Sequence, residues 1–221
     1  MTTTAAVILT HNRPELLADA ITAIRPQVEL VLVVDNASDP PAQVDRDSPG
    51  AELVVWQVPD QPPNIGRMWN DALTRLELHH GNPRWVAFLC DDTTTPAGWM
   101  AAVVDAMEAT GAVAGCSNPW GHDHPPRVKT EPDGDIMGRM PGWAFVLDTK
   151  AGLRADESMH WWWVDSSLDW TARQAGGMVM VSGYPVPNHR PGEFTNSIPG
   201  LGEQAGRDRE AFVARWGWAP W

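Results

Sequence analysis

The chain has 221 residues, 43% of them hydrophobic, and a formal net charge of −12. This length fits one large domain with a sizeable core, and the acidic balance argues against a broad basic surface for nucleic acid or anionic membranes. Two cysteines do not make a disulfide framework. Without a basic leader or an apolar run of about 20 residues, we expect a soluble, reduced, cytoplasmic protein.

Strand-like and helical segments alternate through the first half of the chain. The predicted strands cover residues 5–9, 30–34, 53–56, 85–90 and 112–115. The predicted helices run from Pro14 to about Ile24, from about Arg67 to Leu78, and from Pro96 to Ala109. Continuous apolar strands that alternate with helices favour a mostly parallel sheet with helices on both faces. The predicted fold class is therefore α/β.

The second half is less regular. Residues 117–141 are rich in proline and glycine and are predicted to form a long loop. A strand at 142–147, a helix opening at Trp161 and continuing to about Ala175, a strand at 178–181 and an amphipathic helix at 203–218 follow. Because we find no repeat or low-complexity linker, residues 1–221 are predicted to form one domain.

Polar side chains follow three of the predicted strands at the point where each strand ends. Asp91 and Asp92 end the segment 85–90, and Thr10, Asn12 and Asp35 stand at the ends of the first two strands. Ligands collect at the carboxyl ends of parallel strands. Two adjacent acids there are costly to desolvate unless a cation satisfies them, as a divalent ion shared with phosphate oxygens would. Alternatively, Asp92 only caps a helix and Asp91 faces solvent.

Six motifs, in order along the chain, resemble those of the family-2 glycosyltransferases, which are inverting enzymes with the GT-A fold. They are Thr10-His11-Asn12-Arg13, Val33-Val34-Asp35-Asn36-Ala37-Ser38-Asp39, Asn64-Ile65-Gly66 with Asn70, Leu89-Cys90-Asp91-Asp92 with Gly98-Trp99, Trp143-Ala144-Phe145-Val146-Leu147, and Arg215-Trp216-Gly217. The resemblance covers nearly the whole chain. It implies a single GT-A-like, Rossmann-like domain, with a nucleotide-sugar half at about 1–116 and an acceptor half at about 117–221.

The resemblance also implies a nucleotide-diphosphate sugar as donor, with a UDP-sugar favoured. Asp35 would contact the nucleobase, Thr10 and Asn12 would line its pocket, and Asp91 would contact the ribose or the sugar. The turn at Asn64 and Gly66 would bring Arg67 to a phosphate, although Arg67 would equally suit a solvent-facing helix position. Asp92 and His189 would hold Mn²⁺ or Mg²⁺ at the diphosphate.

The catalytic base of an inverting transferase is a carboxylate that deprotonates the acceptor hydroxyl. By resemblance this base is Asp165, in Trp163-Val164-Asp165, with Asp169 as the reserve candidate one helical turn later. Asp165 would otherwise be a helix cap. Trp161, Trp162 and Trp163 cannot all face one way, so at least one is predicted to be core and at least one to line an acceptor cleft, unless all three only pack the helix onto the sheet.

The acceptor stays open between a glycan, a protein side chain and a modified nucleobase, so nucleic acid enters only as a modified acceptor. Two other functions compete with the transferase. A nucleotidyltransferase usually carries a glycine-rich, basic loop after its first strand, where this chain has Thr10-His11-Asn12-Arg13-Pro14. A non-catalytic module that binds sugar nucleotides or glycans would not need Asp35, Asp91, Asp92, Asp165 and His189 together.

Overall fold

The structure, a computed structural model, describes residues 3–45, 50–58, 63–118, 125–189 and 200–220. The strands are β1 (Thr4–Thr10), β2 (Leu30–Asp35), β3 (Glu52–Gln57), β4 (Trp85–Cys90), β5 (Ala114–Ser117), β6 (Arg127–Lys129), β7 (Ala144–Asp148) and β8 (Met178–Val181). The helices are α1 (Pro14–Ile24), α2 (Ile65–His79), α3 (Trp99–Thr110), α4 (Val164–Ala175) and α5 (Leu201–Trp216). None of these helices is long and apolar enough to cross a membrane, among the residues described.

All eight strands form one sheet in the order β3-β2-β1-β4-β7-β5-β8-β6. The strands β3, β2, β1 and β4 are parallel to one another, as β5 and β8 are to each other, whereas β7 and β6 run antiparallel to the strands beside them. The predicted α/β class with a single, mostly parallel sheet is confirmed.

Helices cover both faces of this sheet because its strands are apolar on both sides. In β1, Ala5 and Val7 point into one core with α2, α4 and α5, and Ala6 and Ile8 point into the other with α1 and α3. Such continuous apolar strands are typical of parallel sheets buried on both faces. The register pairs Thr10 with Asp35 and Leu9 with Cys90, so β1, β2 and β4 end at one edge.

Several predicted elements begin two or three residues away from their observed starts, among them α2, β7 and α5. The helix expected from Pro96 begins at Trp99, because Gly98 adopts a left-handed conformation (φ 80°) and Thr93 pairs with Asn188 in an isolated bridge. The short strand expected at 112–115 lies at Ala114–Ser117. The helix expected to open at Trp161 begins at Val164, after Trp163 adopts a left-handed conformation (φ 66°).

The segment expected to be a long loop, 117–141, is partly regular. Residues 119–124 lie outside the described residues, but Arg127–Lys129 forms β6, which pairs antiparallel with β8. Buried Arg173 on α4 then fastens the chain beyond β6: its guanidinium donates to the carbonyl oxygens of Glu131 (3.2 Å) and Gly138 (3.1 Å) and pairs with Asp133 (3.0 Å). Distant partners therefore order a segment whose own sequence favours a loop.

Candidate active site

A cavity of about 530 Å³ lies at the edge where β1 and β4 end. One wall consists of residues from the ends of these strands, among them Thr10, Asp91 and Asp92. The start of α4, with Asp165, lines the same cavity. The remaining lining is largely aromatic and apolar and includes Met68, Trp69, Trp143, Trp161, Trp162, Trp163 and Val164. The fold therefore brings the acid pair and Asp165, far apart in sequence, into one cavity.

The acid pair is buried and is held by two residues from the loop after β1. Asp91 and Asp92 are each 5% exposed. The Thr10 hydroxyl donates to Asp91 Oδ2 at 2.8 Å. The Nη1 of Arg13 donates to Asp91 Oδ1 at 3.3 Å and to Asp92 Oδ2 at 3.2 Å, so one guanidinium nitrogen bridges both carboxylates.

Burial dominates the electrostatics of the pair. It raises the pKa of Asp91 from the ordinary 3.8 to about 6, against the opposing effects of the Thr10 hydrogen bond and the Arg13 charge. Burial also raises the pKa of Asp92, with Arg13 again opposing the shift. Raised pKa values in two adjacent carboxyl groups mean that Arg13 only partly offsets the cost of their negative charge. This corner of the cavity favours additional positive charge.

His189 lies beside Asp92, and its predicted role as a metal ligand stays a prediction. The bridge between Thr93 and Asn188 brings the segment after β8 back to the end of β4. The backbone N–H of His189 donates to the carbonyl oxygen of Asp92 at 2.8 Å, and its Nε2 lies 2.7 Å from the Thr94 hydroxyl. In the tautomer in which Nε2–H donates to the Thr94 hydroxyl, Nδ1 has a free lone pair that could bind a metal ion.

The donor set suits a divalent cation that arrives together with a ligand. No group of three or more His, Cys, Asp or Glu side chains suited to a metal ion occurs within the described ranges. Asp92 and His189 would therefore supply two protein ligands at most. Mg²⁺ commonly uses one or two carboxylates with waters and substrate phosphates. The raised pKa of Asp92 shows that its carboxylate lacks full charge compensation, which such a cation would provide.

Of the two candidate bases, Asp165 and Asp169, both within the described residues, Asp165 lines the cavity and Asp169 does not. It is half-buried in the first turn of α4, where its Oδ1 accepts a hydrogen bond from the backbone N–H of Ser166 at 2.8 Å. Its Oδ2 accepts from Gly142 N–H at 3.1 Å. A Cβ at position 142 would lie 2.9 Å from that oxygen, so this close approach requires glycine. Two backbone donors thus orient the carboxylate.

The reserve candidate, Asp169, does not line the cavity. It is 0% exposed and forms an ion pair with Arg173, with Nη2 2.6 Å from Oδ2 and Nε 3.0 Å from Oδ1. Burial raises the pKa of Asp169 to about 6, and Arg173 opposes this shift. The structure therefore gives Asp169 a structural partner on α4, and leaves Asp165 as the candidate base that faces the cavity.

The three consecutive tryptophans have different environments. Trp163 is 8% exposed and packs on Phe212 of α5, with ring centroids 5.0 Å apart, whereas Trp162 is 40% exposed. All three contribute to the cavity lining. Buried Asp208 of α5 fixes this tryptophan strip, residues 161–163, in place. Its carboxylate accepts hydrogen bonds from the backbone N–H groups of His160, Trp161 and Trp162 at 2.8–2.9 Å.

Asp35 and Asn12 organise two loops beside the cavity and lie outside its lining. Asp35, 0% exposed, accepts from the backbone N–H groups of Ser38 (3.1 Å) and Ala42 (2.7 Å). Exposed Asn12 accepts from Asp39 N–H at 2.7 Å, which joins the loops after β1 and β2. Their predicted contacts with a nucleobase stay predictions; in this structure the neighbouring Asn36, not Asp35, lines the cavity.

The motif Asn64-Ile65-Gly66 fastens the start of α2 to the segment 155–157. Asn64 caps the helix by accepting from Arg67 N–H at 2.9 Å and donates to the carbonyl oxygen of Glu157 at 2.9 Å. A Cβ on Gly66 would lie 3.1 Å from the carbonyl oxygen of Asp156. Arg67 is exposed and lies outside the cavity lining. The motif therefore has a packing role here, and its predicted donor contacts stay predictions.

Sequence reasoning assigned no role to three residues that shape the site. Arg13 bridges the acid pair, Gly142 orients Asp165, and Asp208 holds the tryptophan strip. Arg13 is the last residue of the motif Thr10-His11-Asn12-Arg13, so the sequence could have marked it as a site residue. Gly142 and Asp208 act on residues distant in sequence, and no local pattern marks them.

The fold resembles those of solved glycosyltransferases, although no protein-family model and no curated protein sequence matches the chain. S. aureus TarS 1–349 in complex with UDP-GlcNAc gives a TM-score of 0.64 at 14% identity, over 96% of this chain and 66% of that one. Its complex with UDP gives 0.61 at 14% identity, over 98% and 72%. GalNAc-T7 with UDP, GalNAc and Mn²⁺ gives 0.60 at 11% identity, over 84% and 43%.

The chain has the GT-A fold, which confirms the fold expected from the motifs. It spans between 43% and 72% of the length of these three solved structures. At such low sequence identity the likeness is one of fold, and the chemistry has to follow from the residues of the cavity itself.

Proposed function

We propose that the protein is a metal-dependent, inverting glycosyltransferase that moves a sugar from a nucleotide-diphosphate donor, preferably a UDP-sugar, to an acceptor hydroxyl. One observation carries this proposal: a single cavity joins a buried acid pair, Asp91 and Asp92, to a separately oriented carboxylate, Asp165. Inverting transfer needs both a site for the charged diphosphate and a base for the incoming hydroxyl.

The donor would lie along the edge formed by β1 and β4. Its diphosphate would approach Asp92 and His189, with Thr10 and Asp91 nearer to the ribose or the sugar. A divalent cation bound there would neutralise the diphosphate and so make it a better leaving group. The solved structures with UDP, UDP-GlcNAc and Mn²⁺ have the same fold, which supports a donor and a metal of this kind.

Asp165 would act as the base. The acceptor hydroxyl would transfer its proton to the Asp165 carboxylate while its oxygen attacks the anomeric carbon, and the bond from that carbon to the diphosphate would break. The backbone N–H groups of Gly142 and Ser166 would keep the carboxylate aimed into the cavity during this step. Trp161 and Trp162 would offer flat faces to the acceptor.

A donor screen tests the proposal. Purified protein is incubated with UDP-, GDP-, ADP- and TDP-sugars, with Mn²⁺, Mg²⁺ or EDTA, and the release of nucleoside diphosphate is measured. We expect release from one class of donor, dependent on metal and lost in Asp165→Asn. If a donor binds but no nucleoside diphosphate is released in the presence of candidate acceptors, a non-catalytic binding module is favoured. If the protein releases pyrophosphate from a nucleoside triphosphate, a nucleotidyltransferase is favoured.

A further inference from the structure

Arg13 holds an unusual position, because it contacts the acid pair that is proposed to receive a cation. Its Nη1 lies 3.3 Å from Asp91 Oδ1 and 3.2 Å from Asp92 Oδ2, and both acids are almost fully buried. A guanidinium is always charged at physiological pH. The site that would receive a metal cation therefore already contains a positive charge, supplied by the chain itself.

The backbone of Arg13 is fixed, while its side chain faces the cavity. Arg13 is the residue before α1, and its carbonyl oxygen accepts from Leu17 N–H at 3.0 Å in the first turn. Pro14 follows and starts the helix. The side chain is 18% exposed and lines the cavity. Its guanidinium can therefore change partners by rotation about side-chain bonds, without moving β1 or α1.

We propose that Arg13 is an internal counter-cation that competes with the divalent metal and passes to the diphosphate when the donor binds. The proposal rests on the proposed function, because the diphosphate is the new partner for the guanidinium. It assigns to Arg13 a positioning role in donor binding: its guanidinium holds the two carboxylates in place without metal, and metal enters efficiently only together with the nucleotide.

Distance and charge support the competition. A metal ligated by a carboxylate oxygen lies about 2.0–2.2 Å from it. A guanidinium nitrogen 3.2 Å from the same Asp92 oxygen would then be close to a doubly charged ion, and the two cations would repel strongly in a buried setting. Arginine pairs with phosphate as readily as with carboxylate, so a diphosphate that binds the metal also gives the displaced Arg13 a partner.

Metal titrations test this role without requiring turnover. Free Mn²⁺ is measured by electron paramagnetic resonance during titration of the parent protein, Arg13→Gln and Arg13→Lys, each with and without saturating UDP. In the parent protein, we expect weak Mn²⁺ binding that UDP strengthens by at least about 10-fold, within the usual range of coupling between sites. Without UDP, Arg13→Gln should bind Mn²⁺ about 10-fold more tightly than the parent protein does. The factor by which UDP increases Mn²⁺ affinity should be at least about 5-fold smaller in Arg13→Gln than in the parent.

The controls separate this competition from general charge effects. Arg139 also lines the cavity, whereas the ion pairs of Asp91 and Asp92 are formed with Arg13, so Arg139→Gln should leave Mn²⁺ affinity without UDP within about 2-fold of the parent value. Arg13→Lys keeps the charge and should fall between the parent and Arg13→Gln. Circular dichroism confirms that each variant is folded, and if Arg13→Gln is not, Arg13→Lys alone must still bind Mn²⁺ more tightly than the parent.

Two results would overturn the proposal: Mn²⁺ binding to Arg13→Gln that is no tighter than to the parent, or equal tightening in Arg139→Gln. Failure of the proposed function is distinguishable, because the titration with Mn²⁺ alone needs no nucleotide. If no nucleotide or nucleotide sugar binds to the parent protein under any condition, the glycosyltransferase proposal fails, whereas the competition between Arg13 and metal is still decided by the Mn²⁺-only titrations.

Discussion

Asp165 and Asp169 lie one turn apart on α4, and their surroundings predict opposite effects of the same substitution. Asp165 faces the cavity and accepts from Gly142 and Ser166 N–H. Asp165→Asn should leave UDP binding nearly unchanged and lower the transfer rate by about 10²–10⁴-fold, because it removes a general base. Rates and UDP affinity are measured side by side by diphosphate release and calorimetry.

Asp169→Asn is the matched control for this substitution. Asp169 pairs with Arg173 where both side chains are 0% exposed, and removing one partner leaves a buried charge uncompensated. We expect a loss of about 3–5 kcal/mol in the free energy of unfolding, measured by urea denaturation. A stable, inactive Asp169→Asn together with an active Asp165→Asn would exchange the two assignments.

The raised pKa of Asp91 predicts that the stability of the folded protein depends on pH. Its pKa in the folded protein is about 6, above the ordinary 3.8, so the folded state binds this proton more tightly than the unfolded chain does. Its contribution to stability is therefore fully present below about pH 4 and is lost as the pH rises through 6. Asp91→Asn leaves Arg13 paired with Asp92, unlike the change at Asp169, so it should raise the free energy of unfolding by up to about 3 kcal/mol at pH 7.5 and leave it almost unchanged at pH 4.

Urea denaturation at both pH values measures this effect. Asp105→Asn, which changes an exposed acid on α3, is the control and should alter stability equally little at pH 4 and pH 7.5. A change in Asp91→Asn that is the same at both pH values would contradict the assigned role of burial.

At the scale of elements, the tryptophan strip before α4 is predicted to contain one residue that packs in the core and one that contacts the acceptor. Trp163 packs on Phe212, so Trp163→Ala should cost about 3–5 kcal/mol of stability. Trp162 is 40% exposed at the cavity, so Trp162→Ala should cost little stability and raise the acceptor's Michaelis constant several-fold. Thermal denaturation and acceptor kinetics measure the two effects. If Trp162→Ala only destabilises, acceptor selection lies elsewhere, with the segment 117–141 as the next candidate.

Asp208 connects α5 to this strip and should control its position. Both carboxylate oxygens are used: Oδ1 by His160 N–H and Gln204, and Oδ2 by Trp161 and Trp162 N–H. Asp208→Asn replaces one acceptor oxygen by a donor, so buried N–H groups lose partners at a cost of about 1–3 kcal/mol.

We therefore expect Asp208→Asn to lower the thermal midpoint and to raise the acceptor's Michaelis constant more than it lowers the turnover number. Glu210→Gln, at an exposed position of the same helix, is the control for the loss of one negative charge. Equal effects of the two substitutions would argue against a specific role for Asp208.

The accuracy of the predicted elements follows from how local their causes are. The bounds of α1, β4 and β8 were predicted correctly because apolar runs and Pro14 mark them within the sequence. The strand β6 was missed because three residues, Arg127-Val128-Lys129, carry no clear alternation, and the strand depends on pairing with β8. The start of α3 was misplaced because Asn188, far along the chain, draws Thr93 into a bridge.

The same distinction applies to the candidate site. The acid pair and Asp165 stand in motifs, and the family resemblance singled out His189, so the sequence predicted their positions; they meet around one cavity or directly beside it. By contrast, Asn64 and Gly66 lie against the segment 155–157 and Asp35 binds its own loop. A motif marks where a residue stands along the chain, whereas its partner is set by tertiary contacts that no local pattern encodes.

At the scale of the whole molecule, the two predicted halves share one sheet and both core clusters. The strand β4 of the first half pairs with β7 of the second, and β7 pairs with β5. One core cluster joins Val7 and Trp69 to Trp170 and Phe212. The acid pair and Asp165 come from different halves, so the geometry of the cavity depends on this shared core staying intact.

This shared core predicts a single cooperative unfolding transition for the chain. Tryptophan fluorescence, which reports mainly on tertiary packing, and far-ultraviolet circular dichroism should give the same midpoint in urea, because both core clusters contain residues from each half. UDP with Mn²⁺ should raise that midpoint by binding only the folded state, by about 2.7 kcal/mol at 100 times the dissociation constant. Two separate transitions, with UDP shifting only the first, would instead show that residues 1–116 fold and bind the donor independently.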